Sequence, residues 1–70
     1  MLIRCEVDAV LSAVERIGGI EGVVRVDAVT GKYDAVAEVE AETTDKLREI
    51  VAGEIHRTDG VAETATCIAT

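Results

Sequence analysis

Seventy residues make one domain with one core, and with Tyr33 as sole aromatic and no Phe, Trp or Pro, that core must be Val, Ile, Leu and Ala. A formal charge of −7, from 14 acidic and 7 basic residues, excludes a binder of phosphate backbone, which needs clustered Lys and Arg. No apolar run approaches the ~20 residues of a membrane span, and the opening MLIRCEVD lacks the basic-then-apolar pattern of a secretory leader.

Residues 2–7 (LIRCEV) alternate as a short strand does. Asp8 is placed to cap a helix whose apolar stripe is Val10, Ala13, Val14 and Ile17, spaced i, i+3, i+4 and i+7. Gly18-Gly19 is expected to end that helix in a left-handed conformation. The Val-rich run 22–30 and the strictly alternating run 33–42 read as two strands, with Gly31-Lys32 as a two-residue hairpin loop between them. That turn fixes a register. Thr30 faces Tyr33, Ala28 faces Ala35, Val26 faces Ala37 and Val24 faces Val39 on one face. Val29–Asp34, Asp27–Val36, Arg25–Glu38 and Val23–Glu40 lie on the other, with Arg25 and Glu38 forming a cross-strand charge pair.

Thr43 or Thr44 caps a second helix, with Asp45 near its positive end and Leu47, Ile50, Val51 and Ile55 as its buried stripe. Gly53 within it hints at close packing or a frayed last turn. Asp59-Gly60 turns the chain into a last strand over 61–70. The order is β-α-β-β-α-β, and Gly22-Val23 and Gly60-Val61 each follow a helix and open a strand. Two βαβ halves in tandem mark an α+β, ferredoxin-like sandwich: a four-stranded antiparallel sheet with two helices on one face, and the first and third strands central.

Little here supports chemistry. The one histidine, His56, falls on the last turn of the second helix, where a positive charge suits the helix end; nothing around it builds a triad, so no enzyme is expected. Cys5 and Cys67 fall on neighbouring first and last strands, on the helix side with Ile3 and Ala65, as buried thiols or as a disulfide pair. Two cysteines without a CxxC suit a reduced, cytoplasmic protein without a metal or cofactor. Glu38, Glu40 and Glu42 read as a solvated strand face rather than a cation site. An acid excess with only Lys32 and Lys46 as lysines suits solubility in concentrated salt, though ordinary acidic surfaces look similar.

The segment Val29-Thr30-Gly31-Lys32-Tyr33-Asp34 is the most specific local feature. Asp34 sits just after a tight turn, where its carboxylate can accept from a ligand ammonium or from turn amides, and Gly31 lets another group approach the backbone. Here VTGKYDAVAEVEAETTDKLREIV resembles the VTG-x-YD-hydrophobic stretch of the Lrp/AsnC effector-binding domain, also called the regulation-of-amino-acid-metabolism (RAM) domain. The likeness runs from Gly22-Val23 through Asp45-x-Leu47 to Gly60-Val61 and Thr64-x-Thr66, and covers the chain without gaps.

The resemblance implies a ferredoxin-like unit that dimerises sheet against sheet, with amino acids or similar small molecules bound where subunits meet. It implies that Thr30, Gly31, Tyr33 and Asp34, with Thr64 and Thr66, lie near that site. Relatives usually carry a helix-turn-helix DNA-binding domain; this sequence resembles the stand-alone form, one domain over residues 1–70, expected to modulate transcription regulators, in part through mixed oligomers with full-length ones. It departs from the family in a short first strand and in small Ala at several strand positions. The residues agree independently on dimerisation, because Leu2, Val23, Val29, Val36 and Ile68 fall on the face away from the helices, which a partner sheet would bury. The rival readings are a structural interaction domain without ligand, or an ACT-like amino-acid-binding domain, whose glycine-bearing first loop is missing.

Overall fold

A computed structural model of the chain describes residues 1–66. The strand β1 (Leu2–Cys5) buries Ile3 and Cys5 on one side and turns Leu2 and Arg4 to the other. It is shorter than the alternation suggested, because Ala9 donates its amide to the Glu6 carbonyl (3.0 Å) and closes a turn. That turn makes Ala9 the N-cap of α1 (Val10–Gly18), with no side-chain cap, and leaves Asp8 exposed outside the helix. The expected stripe holds: Ala13 and Ile17 are buried, and Val10 and Val14 pack beside them. Gly19 stays right-handed at φ −88°, and the left-handed reversal comes at Gly22, φ +100°.

Next come β2 (Val23–Ala28) and β3 (Ala35–Val39). Their pairing matches the expected register at Arg25–Glu38, Val26–Ala37, Asp27–Val36 and Ala28–Ala35, then slips. A bulge between Val23 and Arg25 pairs Val23, not Val24, with Val39. One extra residue exchanges the two faces of a strand. Val23 therefore packs on the core, and Val24 takes its place outside, 52% exposed. Arg25 lies opposite Glu38, yet its guanidinium pairs with Asp27 on its own strand (3.2 Å).

Thr43 caps α2 (Thr44–Arg48), accepting from the Lys46 amide at 3.0 Å, and a π-helical segment, Glu49–Ile55, continues it. The buried pair Ile50 and Ile55 explains the widening. Five residues apart, they share a face in a π-helix, whose hydrogen bonds span i to i+5, but would diverge in an α-helix. Among the described residues nothing lies within 4 Å of a Cβ added at Gly53, so close packing against them is not its reason. After Asp59-Gly60, β4 (Val61–Ala65) pairs with β1. Thr64 lies opposite Ile3 and Ala65 opposite Leu2, which puts Ala65 on the outer face rather than beside Cys5. Cys67 and Ile68 lie outside the described residues.

The antiparallel sheet runs β2-β3-β1-β4, so the first and third strands are central, as expected for a ferredoxin-like α+β fold. One core joins Ile3, Cys5, Ala35 and Ala37 of the sheet to Ala13, Ile17, Ile50 and Ile55 of the helices. Among the described residues, only Ile3, Ile17 and Ile55 are large and fully buried. At ~2–3 kcal/mol for a fully buried aliphatic side chain, this is a thin core.

Candidate functional site

The hairpin is wider than two residues. Its last backbone bond runs from the Val29 amide to the Asp34 carbonyl (2.9 Å), leaving Thr30, Gly31, Lys32 and Tyr33 as a projecting loop in which Thr30 and Tyr33 are not a strand pair. Gly31 has φ +123° and open space where a Cβ would stand, so the loop needs glycine for its conformation rather than for room. Among the described residues, the amides of these four make no backbone hydrogen bond. N–H groups without a backbone acceptor suit a carboxylate or another acceptor.

Asp34 is tied down. Its amide donates to the Ile3 carbonyl (2.8 Å), its carbonyl accepts from Val29, and its Oδ2 accepts from the Cys5 amide (2.8 Å). Of the two roles open to this carboxylate, accepting from backbone is the one seen, although the amide belongs to β1 and not to the turn. Burial, and then the nearby Asp34 charge, push the Cys5 thiol above its ordinary pKa.

Tyr33 is half-buried beside two cations, Arg4 and Lys32, each 6.0 Å from its ring centre. Arg4 crosses the outer face of the sheet towards Glu63 (3.6 Å), and its Nε is buried with no hydrogen bond among the described residues. The strand alternation that put Leu2 on the outer face puts Arg4 there too; its closeness to Tyr33 had no sequence signal, because it depends on how the loop folds back.

The threonines stand apart from the loop. Thr64 is half-buried on the helix side, opposite Ile3 and two strands from Ala35. Thr66 is exposed, roughly 10 Å further along the strands than Asp34. It lines an open groove of about 1060 Å3 with Met1, the end of β3 and the start of α2, and none of the hairpin-loop residues reaches it. One protomer thus holds the six candidate residues as a loop group and a β4 group. No three His, Cys, Asp or Glu among the described residues gather as a metal site.

The sequence pattern of the Lrp/AsnC ligand binding domain matches residues 1–70. The chain belongs to this family. A crystal structure of TTHA0845 from Thermus thermophilus is similar at 35% identity with a TM-score of 0.92, covering 99% of this chain and 86% of that one. An FFRP crystal structure (23% identity, TM-score 0.93, 99% and 92% covered) shares the fold. So does a hypothetical protein from Pyrococcus horikoshii (23% identity, TM-score 0.90, 99% and 83% covered). No curated protein matches the chain. Lrp/AsnC ligand binding domains are regulatory binding units and not a class of enzyme. Among the described residues no helix of this Lrp/AsnC domain is long and apolar enough to cross a membrane.

Proposed function

We propose that the protein senses an amino acid or a related small metabolite and couples its binding to oligomerisation, without catalysis. The observation that carries this is the projecting loop Thr30–Tyr33, whose amides make no backbone hydrogen bond among the described residues, with its open Gly31, in a chain of the ligand-binding family. Free amides suit the effector's carboxylate. Thr66 lines a groove that none of the loop residues reaches and Thr64 stands on the helix side two strands from Ala35, which supports a site completed by a second copy. The outer sheet face supplies a first contact, with Leu2, Val24, Val29 and Val36 among its polar groups. Val7 and Leu11, 92% and 79% exposed on the helix side, supply a second for growth beyond a dimer. The same faces would join full-length regulators in mixed oligomers in the cytoplasm.

Native mass measured with and without an amino-acid mixture tests the proposal, together with thermal shifts for each amino acid at millimolar concentration. A stabilised or enlarged assembly supports it; an unchanged mass with no shift across the panel rejects effector sensing. One observation favours a purely structural interaction module instead: at the loop's Gly31, among the described residues, nothing lies within 4 Å of the Cβ position. A dimer that forms but responds to no amino acid is that reading's outcome.

A further inference from the structure

We infer that Asp34 is a positioning residue, which fixes the effector loop through the Cys5 amide and does not itself touch the effector. This rests on the reading of Thr30–Tyr33 as the effector loop.

The argument starts from the ladder. β3 pairs with β1 at Val36–Leu2 and Ala35–Ile3, and a longer β3 would next bring a backbone carbonyl to the Cys5 amide. The strand ends before that point, and the Asp34 carboxylate takes the carbonyl's place at 2.8 Å. With its own amide on Ile3 and its carbonyl on Val29, Asp34 binds three points: two on β1 and one just beyond β2. The carboxylate thereby frees the Lys32-Tyr33 backbone from the sheet while holding its root rigid. Without it the Cys5 amide, on a buried residue, would lose its acceptor, and either the loop would collapse onto β1 or the strand end would open.

A carboxylate that contacts an ammonium needs its charge; one that accepts from an amide needs only an oxygen. Asp34→Asn keeps the oxygen and removes the charge, and Asp34→Ala removes both. Two readouts are needed: amide hydrogen exchange at Cys5 and Val29 in the unliganded protein, and the concentration midpoint for the amino acid giving the largest thermal shift in the unaltered protein. Asp34→Ala should speed exchange at both amides about tenfold or more and weaken the midpoint about 10- to 100-fold, as loss of a charge-assisted hydrogen bond implies. Asp34→Asn should restore protection and bring the midpoint within about threefold of the original, a rescue within the scatter of a neutral replacement.

The inference is overturned if Asp34→Asn abolishes binding while Cys5 and Val29 stay protected, because the charge then meets the effector directly. It is equally overturned if Asp34→Ala leaves protection unchanged. Should no amino acid bind the unaltered protein, the effector reading falls by itself, and the exchange data still decide whether Asp34 holds the loop. If Asp34→Ala does not fold, Asp34→Asn alone separates the two roles.

Discussion

The thiol of Cys5 reports on its neighbours. Burial first, and the Asp34 carboxylate second, hold it protonated above its ordinary value of 9.0. The unfolded chain ionises this thiol near 9.0 while the folded one retains the proton, so the group's contribution to stability is complete below that pH and declines above it. Unfolding midpoints should fall as the pH rises past 9.0, and Cys5→Ala should remove that part of the decline. In a Cys67→Ser background, Asp34→Asn should lower the pH at which Cys5 is alkylated; an unchanged profile would mean the carboxylate exerts no field on the sulfur. The glycines divide just as sharply. Gly22 and Gly60 have positive φ, and a Cβ at either would stand 2.6 Å from Ile50 Cδ1 or 2.7 Å from Ala9 Cβ. Gly60→Ala should cost roughly 1–3 kcal/mol in urea unfolding. Gly53→Ala, into open space without positive φ, should add about 0.5–1 kcal/mol.

At the scale of elements, periodicity told most where side chains alternate without interruption. The α1 stripe, the middle of the β2–β3 register and the Thr43 cap were all legible, since each follows from a local rule. The bulge at Val24 was not, because it is decided by what Val23 meets in the core and not by the strand's own residues. The same holds at α2, where a five-residue interval between Ile50 and Ile55 leaves helix type to tertiary packing. Asp8 looked like a cap in sequence, but the entry turn closes at Ala9, whose amide bonds the Glu6 carbonyl and whose Cβ lies so near Gly60 that a Cβ there would stand 2.7 Å away. Of the candidate site, the loop's position could be read from its glycine and flanking strands but not its width, four residues where a two-residue turn was expected, and the Asp34–Cys5 bond joins residues 29 apart and has no local signature. Thr43→Ala should therefore weaken the protein by about 1 kcal/mol in chemical denaturation, as loss of an N-cap does. An unchanged midpoint would show that the π segment, and not the cap, sets the stability of this helix.

At the scale of the whole molecule, a thin core and a mixed outer face argue for pairing. A standard interface buries ~800 Å2 on each partner, about a sixth of this protomer's 4800 Å2. Two copies at −7 each repel, so salt should strengthen the pair, opposite to the behaviour of an interface held by ion pairs. Val36 offers the cleanest probe, since it lies on the central strand β3, outside the core and opposite Asp27. Val36→Lys places an ammonium beside that carboxylate, a favourable cross-strand pair within the protomer. In a sheet-to-sheet dimer it would instead bring a charge into the apolar centre of the interface, at a cost of several kcal/mol unless it is paired there. Sedimentation at micromolar concentration should thus find the unaltered protein dimeric or larger and Val36→Lys shifted towards monomer, with the same circular dichroism. If the variant assembles as tightly as the original, copies meet through another surface, with Val7 and Leu11 of the helix side next to be altered.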